Sequence, residues 1–184
     1  ENIVALEVYR WSAGSYLECQ DFWRLSGIER DVFLYSQPKV AVKDFRVIST
    51  LDDSYTDGIF KLAVDVRNHA LAGKKMQVFY ELIDKVSGKV AVNGVSDCEV
   101  KSSETQTVTF NASLPGVKTW TSEAPNLYKL LITLKEGNEV TEIIPFNVGF
   151  RRIEIKAIDQ IAKNGKPYVV LLINGQPLKL KGVN

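Results

Sequence analysis

Hydrophobic and polar residues alternate with a period of two through the middle of the chain. From Phe60 to Arg67 every second side chain is large and apolar, and polar or small side chains lie between. A half-buried β-strand has this period because successive side chains point to opposite faces of the sheet. Residues 128–135 alternate in the same way, and residues 76–83 are apolar on both faces. Less regular alternation predicts strands at residues 40–48, 106–110 and 140–148.

Turn-forming dipeptides separate these apolar runs. They are Asp57-Gly58, Ser87-Gly88, Asn93-Gly94, Pro115-Gly116, Gly137-Asn138, Asn164-Gly165 and Asn174-Gly175. Glycine and asparagine tolerate the positive φ that tight hairpins need, so each pair predicts a turn between strands. No long segment carries an apolar stripe of helical period, and the Ser/Thr-rich residues 95–114 favour strand or loop. The pattern predicts an all-β protein built as an antiparallel β-sandwich.

The chain divides into three blocks. Residues 1–36 are rich in aromatic and charged residues. We interpret them as the last part of a separate domain, because the chain begins with residues typical of the middle of a strand. Residues 37–149 have the length and strand number of an immunoglobulin-like sandwich, which takes about 100 residues. The absence of a Cys-Trp-Cys pattern excludes an antibody-type domain. Residues 150–184 read as two hairpin-like units, so the fold is a sandwich with flanking partial β segments.

The composition argues against several classes of partner and site but assigns no function. The 184 residues include 23 Lys or Arg and 22 Asp or Glu, so the net charge is +1. This balance favours neither nucleic acid nor an anionic membrane as a partner, and no apolar run reaches the ~20 residues that span a bilayer. Two cysteines, Cys19 and Cys98, and the single histidine His69 provide no zinc cluster or disulfide framework. We therefore expect unpaired thiols, no resident cofactor, and a compartment that stays unassigned between bacterial cytoplasm and periplasm.

Four segments, in order along the chain, resemble the β-galactosidases of glycoside hydrolase family 2. Residues 8–32, VYRWSAGSYLECQDFWRLSGIERDV, resemble the end of their sugar-binding-like jelly roll. Residues 120–128, WTSEAPNLY, resemble the signature of their immunoglobulin-like second domain. Residues 148–155, VGFRRIEI, resemble the strand that leads to the catalytic (β/α)₈ barrel, and residues 174–184, NGQPLKLKGVN, resemble the hairpin that opens the barrel. Residues 157–172 resemble an addition between the last two segments, and we assign it no function.

The resemblance implies a non-catalytic part of a glycosidase that hydrolyses terminal β-galactosides. In the family two barrel glutamates catalyse hydrolysis with retention, and both lie downstream of the matching segments, so we expect this chain to be inactive by itself. Asp21 matches an aspartate that contacts the galactose ring and a monovalent cation, although Cys19 stands where the motif has an acidic residue. The intact protein would also use magnesium. Its partners would be the jelly-roll and barrel domains, the β-galactoside and further copies in a homo-oligomer.

Three alternative interpretations remain open. Gly137-Asn138-Glu139 resembles the tripeptide around the family's acid/base glutamate, but its neighbours favour a hairpin turn. The chain could instead be a stand-alone binding module whose aromatic residues, Trp11, Tyr16 and Trp23, contact carbohydrate or protein. The intact protein could also act on another β-glycoside, such as a glucuronide or a mannoside, because the specificity pocket lies outside these residues.

Overall fold

The computed structural model describes residues 3–17, 27–161, 164–180 and 182, and it confirms the all-β prediction. In this part of the chain a five-residue helix, α1 (Ala13–Leu17), precedes ten strands. The strands are β1 (Val40–Leu51), β2 (Gly58–Asn68), β3 (Lys74–Asp84), β4 (Val90–Val100), β5 (Thr105–Leu114), β6 (Tyr128–Glu136), β7 (Glu139–Val148), β8 (Ile153–Ile161), β9 (Pro167–Ile173) and β10 (Gln176–Pro177). The helix, α1, is neither long nor apolar enough to cross a membrane.

Strands β1 to β7 form two antiparallel sheets, in the orders β1-β2-β5 and β4-β3-β6-β7. These are the two layers of an immunoglobulin-like sandwich, and they confirm that prediction. In the constant-type immunoglobulin domain the fourth strand belongs to the sheet of the first two. Here β4 pairs with β3 along its whole length and therefore forms the edge of the four-stranded sheet.

The core lies between the two sheets and follows the predicted alternation. In β2 the burial pattern alternates along the strand, and Phe60 and Val64 are fully buried. Strands β3 and β6 supply the facing layer, where Leu82 and Ile132 are fully buried. The inward residues of the central strands are apolar because burial removes their hydrocarbon surface from water.

One of the predicted turns is wrong. Asn93-Gly94 lies inside strand β4, where Gly94 pairs with Tyr80 of β3. A Cβ at Gly94 would lie 2.6 Å from the Tyr80 ring, so the glycine leaves space for that ring. Asp57-Gly58 lies at the end of the connection from β1 to β2, as predicted, and the Asp52 carboxylate closes that turn by accepting a hydrogen bond from Asp57 N (3.0 Å). The other five dipeptides lie at or next to the connections between strands, as predicted.

Strands β8, β9 and β10 form a separate antiparallel sheet, which confirms the two predicted hairpin-like units. The Asn174-Gly175 turn connects β9 to β10 with φ of +49° and +77°, and two positive φ values are typical of a type I′ hairpin turn. Residues 157–172, which resemble an addition, include the second half of β8 and most of β9. We call β8 to β10 the hairpin sheet.

The chain divides into two compact units, Glu1–Ser36 and Gln37–Asn184. In the described residues of the first unit the helix α1 is the only regular element, and it has no buried residue. The second unit contains the sandwich and the hairpin sheet. The site described next lies wholly within this second unit.

Candidate functional site

Three of the sequence motifs meet where the sandwich joins the hairpin sheet. We call this region the junction; it comprises residues 119–126, 149–156 and 174–175, together with the turn that contains Tyr55. Trp120 N donates a hydrogen bond to Phe150 O (2.8 Å), and Asn174 Nδ2 donates to Trp120 O (3.0 Å). Asn174 also accepts from Arg152 N at Oδ1 (2.9 Å) and donates from its own N to Arg152 O (2.8 Å). One asparagine therefore connects the turn of the hairpin sheet to the Trp120 segment of the sandwich and to the Arg152 segment that precedes β8.

The indole of Trp120 packs against the strand connection that follows β7. Gly149 lies under the ring, where a Cβ would be 3.1 Å from three Trp120 side-chain atoms. The Arg151 guanidinium lies over the ring, 4.7 Å from its centroid. This distance allows a cation–π interaction, which orients both side chains.

The residues after Trp120 form a structural corner. Trp120 pairs with Pro125 in an antiparallel bridge, which folds the segment back on itself. Tyr128 is buried, its hydroxyl accepts a hydrogen bond from Lys118 N (3.1 Å), and its ring meets the Phe150 ring edge to face at 5.3 Å. These groups use their polar atoms to close the corner, so their role is structural.

An ionic network connects the hairpin sheet to the turn between β1 and β2. The Tyr55 hydroxyl donates to Glu154 Oε2 (2.7 Å), and Arg152 and Lys156 form ion pairs with Glu154 Oε1 at 2.9 and 3.1 Å. Arg152 also pairs with Asp53 at 2.7 Å. Tyr55 adopts a left-handed φ of +59°, and its ring packs against Gly175, where a Cβ would lie 2.7 Å away. A glycine at position 175 therefore lets the hairpin turn approach the tyrosine ring.

The network lowers the pKa of Glu154, mainly through the hydrogen bond from Tyr55 and then through Lys156 and Arg152. Since the folded-state pKa lies below the ordinary value of 4.5, the contribution of Glu154 is fully present above that value. It is lost as the pH falls through the lower, folded pKa. The connection between the hairpin sheet and the sandwich is thus expected to weaken on acidification.

We predict that acidification exposes the hairpin sheet before the sandwich unfolds. Hydrogen-exchange protection of the β8 and β9 amides, relative to unfolded-chain rates, should fall below about pH 4.5 while β2 and β6 stay protected. Glu154→Gln should lower this protection at neutral pH and flatten its pH dependence, because it removes the charge that Arg152 and Lys156 contact. The matched control is Glu139→Gln, a glutamate at the exposed end of β7. Equal pH profiles for the two variants would contradict the prediction.

The structure describes only some of the predicted site residues. Asp21, Cys19 and Trp23 lie outside the described residues, so the structure leaves the Asp21 prediction untested. Glu139 begins β7 directly after the Gly137-Asn138 turn and pairs across the hairpin with Glu136, as the turn interpretation predicts. His69 lies in the connection after β2, where its backbone N donates to Lys39 O (2.7 Å).

The described residues contain no group of three or more His, Cys, Asp or Glu that could hold a metal ion. A groove of about 430 Å³ runs beside the junction, lined by Val47, Ser49, Phe146, Asn147, Val148, Gly149, Arg151 and Ile153. None of these side chains is acidic, whereas glycoside hydrolysis needs a pair of carboxyl groups. Asp97 and Glu99, in a second concavity, are the cross-strand partners of Gln77 and Lys75, an ordinary arrangement on a sheet surface.

Sequence reasoning missed two residues that organise the fold, Tyr55 and Asn68. No local pattern indicates the role of Tyr55, because its partner Glu154 lies 99 positions away along the chain. Asn68 does have one, since it continues the inward period of Phe60, Leu62, Val64 and Val66 and is fully buried. A polar residue in an inward phase must find hydrogen-bond partners inside the protein.

Two family models match the chain and together extend from residue 1 to residue 151. The model of glycosyl hydrolases family 2 matches residues 40–151, and the model of the sugar binding domain of that family matches residues 1–38. The chain is 37% identical to a β-galactosidase of Priestia megaterium over 185 residues, which is 100% of the chain and 17% of that protein. It is 36% identical to a β-galactosidase of Halalkalibacterium halodurans, with 100% and 16% covered.

Solved structures share the fold. A β-glucuronidase of Bacteroides uniformis superposes with a TM-score of 0.75 and 19% identity, over 89% of this chain and 19% of that chain. A putative β-galactosidase of Bacteroides fragilis superposes with a TM-score of 0.61 and 19% identity, over 73% and 18%. The chain therefore corresponds to less than a fifth of the length of each of these relatives.

Proposed function

The chain belongs to glycosyl hydrolase family 2, and from this premise we propose that it is the non-catalytic sandwich region of a β-galactosidase. The observation that carries the proposal is the junction, where Asn174 connects the hairpin sheet to both the Trp120 and the Arg152 segments. These segments are three of the four that resemble the family. A connection of this kind suits a rigid spacer between two domains.

The spacer would hold the preceding domain and the catalytic barrel in a fixed relation. The hairpin sheet supports this role because one of its faces is apolar and exposed: Ile155 is 74% exposed and Val169 is 62% exposed. A cross-strand row of this kind ordinarily packs against a neighbouring layer. We propose that the barrel packs there, and that the domain limits are residues 1–36, 37–149 and 150–184. The limits of the two family matches support these boundaries.

The longer protein would hydrolyse terminal β-galactosides with retention, through two carboxyl groups about 5–5.5 Å apart on the barrel. The curated relatives at 36–37% identity are β-galactosidases, which favours galactosides over glucuronides or mannosides. The residues of this chain would position the domains and leave the bond-breaking step to the barrel.

We propose that the longer protein also binds cofactors. Family membership allows them, and the resemblance implies magnesium and a monovalent cation. In this chain Asp21 would contact the galactose ring and the monovalent cation, because a carboxylate accepts hydroxyl hydrogen bonds and offers a hard oxygen ligand. Assembly of the longer protein as a homo-oligomer is part of the proposal as well.

A chromogenic β-galactoside assay tests the proposal. We expect the purified 184-residue chain to give no turnover above the buffer blank, and Glu139→Gln to behave identically. Turnover that survives purification and disappears in Glu139→Gln would contradict the non-catalytic assignment.

Calorimetry separates the spacer from the stand-alone binding module. The spacer predicts no heat with a β-galactoside at millimolar concentration. Saturable heat that is lost in Trp11→Ala would favour the binding module, since the Trp11 side chain is 54% exposed and able to stack on a sugar.

A further inference from the structure

Three Asn-Gly dipeptides occur in the chain, and the structure places each in a different environment. Asn93-Gly94 lies in strand β4, Asn164-Gly165 lies between β8 and β9, and Asn174-Gly175 lies in the turn at the junction. The sequence treats the three alike, as turn signals. Asparagine before glycine is prone to lose its side-chain amide. The environment of each dipeptide decides how readily this reaction occurs.

The reaction needs only the two residues and water. The glycine backbone N attacks the asparagine Cγ; an N–Cγ bond forms, the Cγ–NH₂ bond breaks, and ammonia leaves with the proton from the glycine amide. Water then opens the cyclic imide at either carbonyl and gives aspartate or isoaspartate, with one added negative charge. Glycine favours the attack because it has no Cβ to shield its nitrogen and its backbone rotates freely. The backbone and the side-chain amide must both be able to rotate toward each other.

Asn164 is free to make this rotation. It is exposed, and its side chain has one hydrogen bond to another described residue, from Lys166 N to Oδ1 at 3.1 Å. Gly165 has a φ of +79°, and no atom of the described residues beyond its chain neighbours lies within 4 Å of the position that a Cβ would take. The approach of the glycine nitrogen is therefore unhindered.

Asn174 and Asn93 are held in place. Both ends of the Asn174 amide are engaged, by Arg152 N and by Trp120 O, and Gly175 lies against the Tyr55 ring. Gly94 pairs with Tyr80 in the β3–β4 ladder and packs against its ring. Rotation at either site requires hydrogen bonds or strand pairing to break first.

We propose that Asn164-Gly165 is a site of spontaneous deamidation and that tertiary structure protects the same dipeptide at Asn174 and Asn93. This inference is independent of the proposed function. At Asn174 protection matters most, because the product carboxylate would place an acceptor 3.0 Å from the Trp120 carbonyl and would open the junction.

Peptide mapping by mass spectrometry tests the proposal. The chain is incubated in mildly alkaline buffer, folded in one arm and unfolded in urea in the other, and the conversion of each asparagine is followed. In urea the three sites should react at similar rates. In the folded chain Asn164 should keep its unfolded rate, while Asn174 should react about 30-fold more slowly because two hydrogen bonds must open. Asn93 should be at least as slow.

Two variants sharpen the test. Gly165→Ala should slow Asn164 alone, and Glu154→Gln should speed Asn174 alone by loosening the junction. Equal folded rates at Asn164 and Asn174 would overturn the proposal, as would protection of Asn164 equal to that of Asn93. An unchanged Asn174 rate in Glu154→Gln would overturn the assignment of its protection to the junction.

Discussion

Replacing Phe150 with alanine is expected to lower the free energy of unfolding by about 4 kcal/mol, among the largest effects of any single substitution. The side chain is fully buried and packs edge to face on Tyr128. Its ring also lies so close to Gly58 that a Cβ there would be 2.8 Å from it. Its removal would leave a cavity at the point where the sandwich meets the hairpin sheet, and the surrounding strands cannot close it. Urea denaturation followed by circular dichroism measures the change.

The matched control for this prediction is Phe146→Ala. Phe146 is on the same segment of chain but is 47% exposed, and it stacks edge to face on Phe45 at 5.3 Å. Because half of its surface is already in water, its loss should cost about 1 kcal/mol. Similar losses for the two variants would show that Phe150 is not the packing centre of the junction. Hydrogen exchange should also rise in β8 and β9 for Phe150→Ala alone, since the cavity would lie next to the residues that lead into β8.

Replacing Asn68 with leucine is expected to cost about 3 kcal/mol, although the two side chains have the same branched skeleton of non-hydrogen atoms. Asn68 Nδ2 donates to Ala72 O and to Val100 O, each at 2.9 Å, and Oδ1 accepts from Ala70 N at 2.7 Å. Leucine would remove all three of these hydrogen bonds. The Val100 carbonyl would be affected most, because its residue is 1% exposed and water does not reach it.

Asn111→Leu is the control for this second prediction, because Asn111 is an exposed residue on the same three-stranded sheet. Its replacement should change the unfolding free energy by no more than about 0.5 kcal/mol. Asn68→Asp tests the same contacts from another side: it keeps the acceptor for Ala70 N and removes both donors. A stability of Asn68→Leu equal to that of the unsubstituted chain would contradict the assigned role.

The strands of the sandwich were predictable because their signal is local. Alternation from Phe60 to Val66 is a property of neighbouring residues, and burial between two layers keeps that alternation in the structure. Strand β4 was harder to predict, because it is an edge strand that contains Asn93-Gly94 and whose residues before Val100 are all exposed or half-buried. Whether that dipeptide turns or stays extended depends on Tyr80, which lies on another strand.

The candidate site was predictable only in part. The motifs around Trp120, Phe150 and Asn174 resemble one family, but nothing along the chain indicates that they contact each other. The Glu154 network includes Tyr55 from 99 positions away, in a turn that has no family motif. Asp21, the residue that the resemblance singled out, remains a prediction.

The amino-acid sequence by itself determined the strand period, the all-β class and the order of the family motifs, because each of these depends on residues that are close along the chain. Only the tertiary structure decided which asparagine is buried, which glycine accommodates a ring, and which motifs share the junction. These outcomes depend on contacts between residues up to about 100 positions apart. Packing and hydrogen bonding act between neighbours in space, and the fold determines which residues become neighbours.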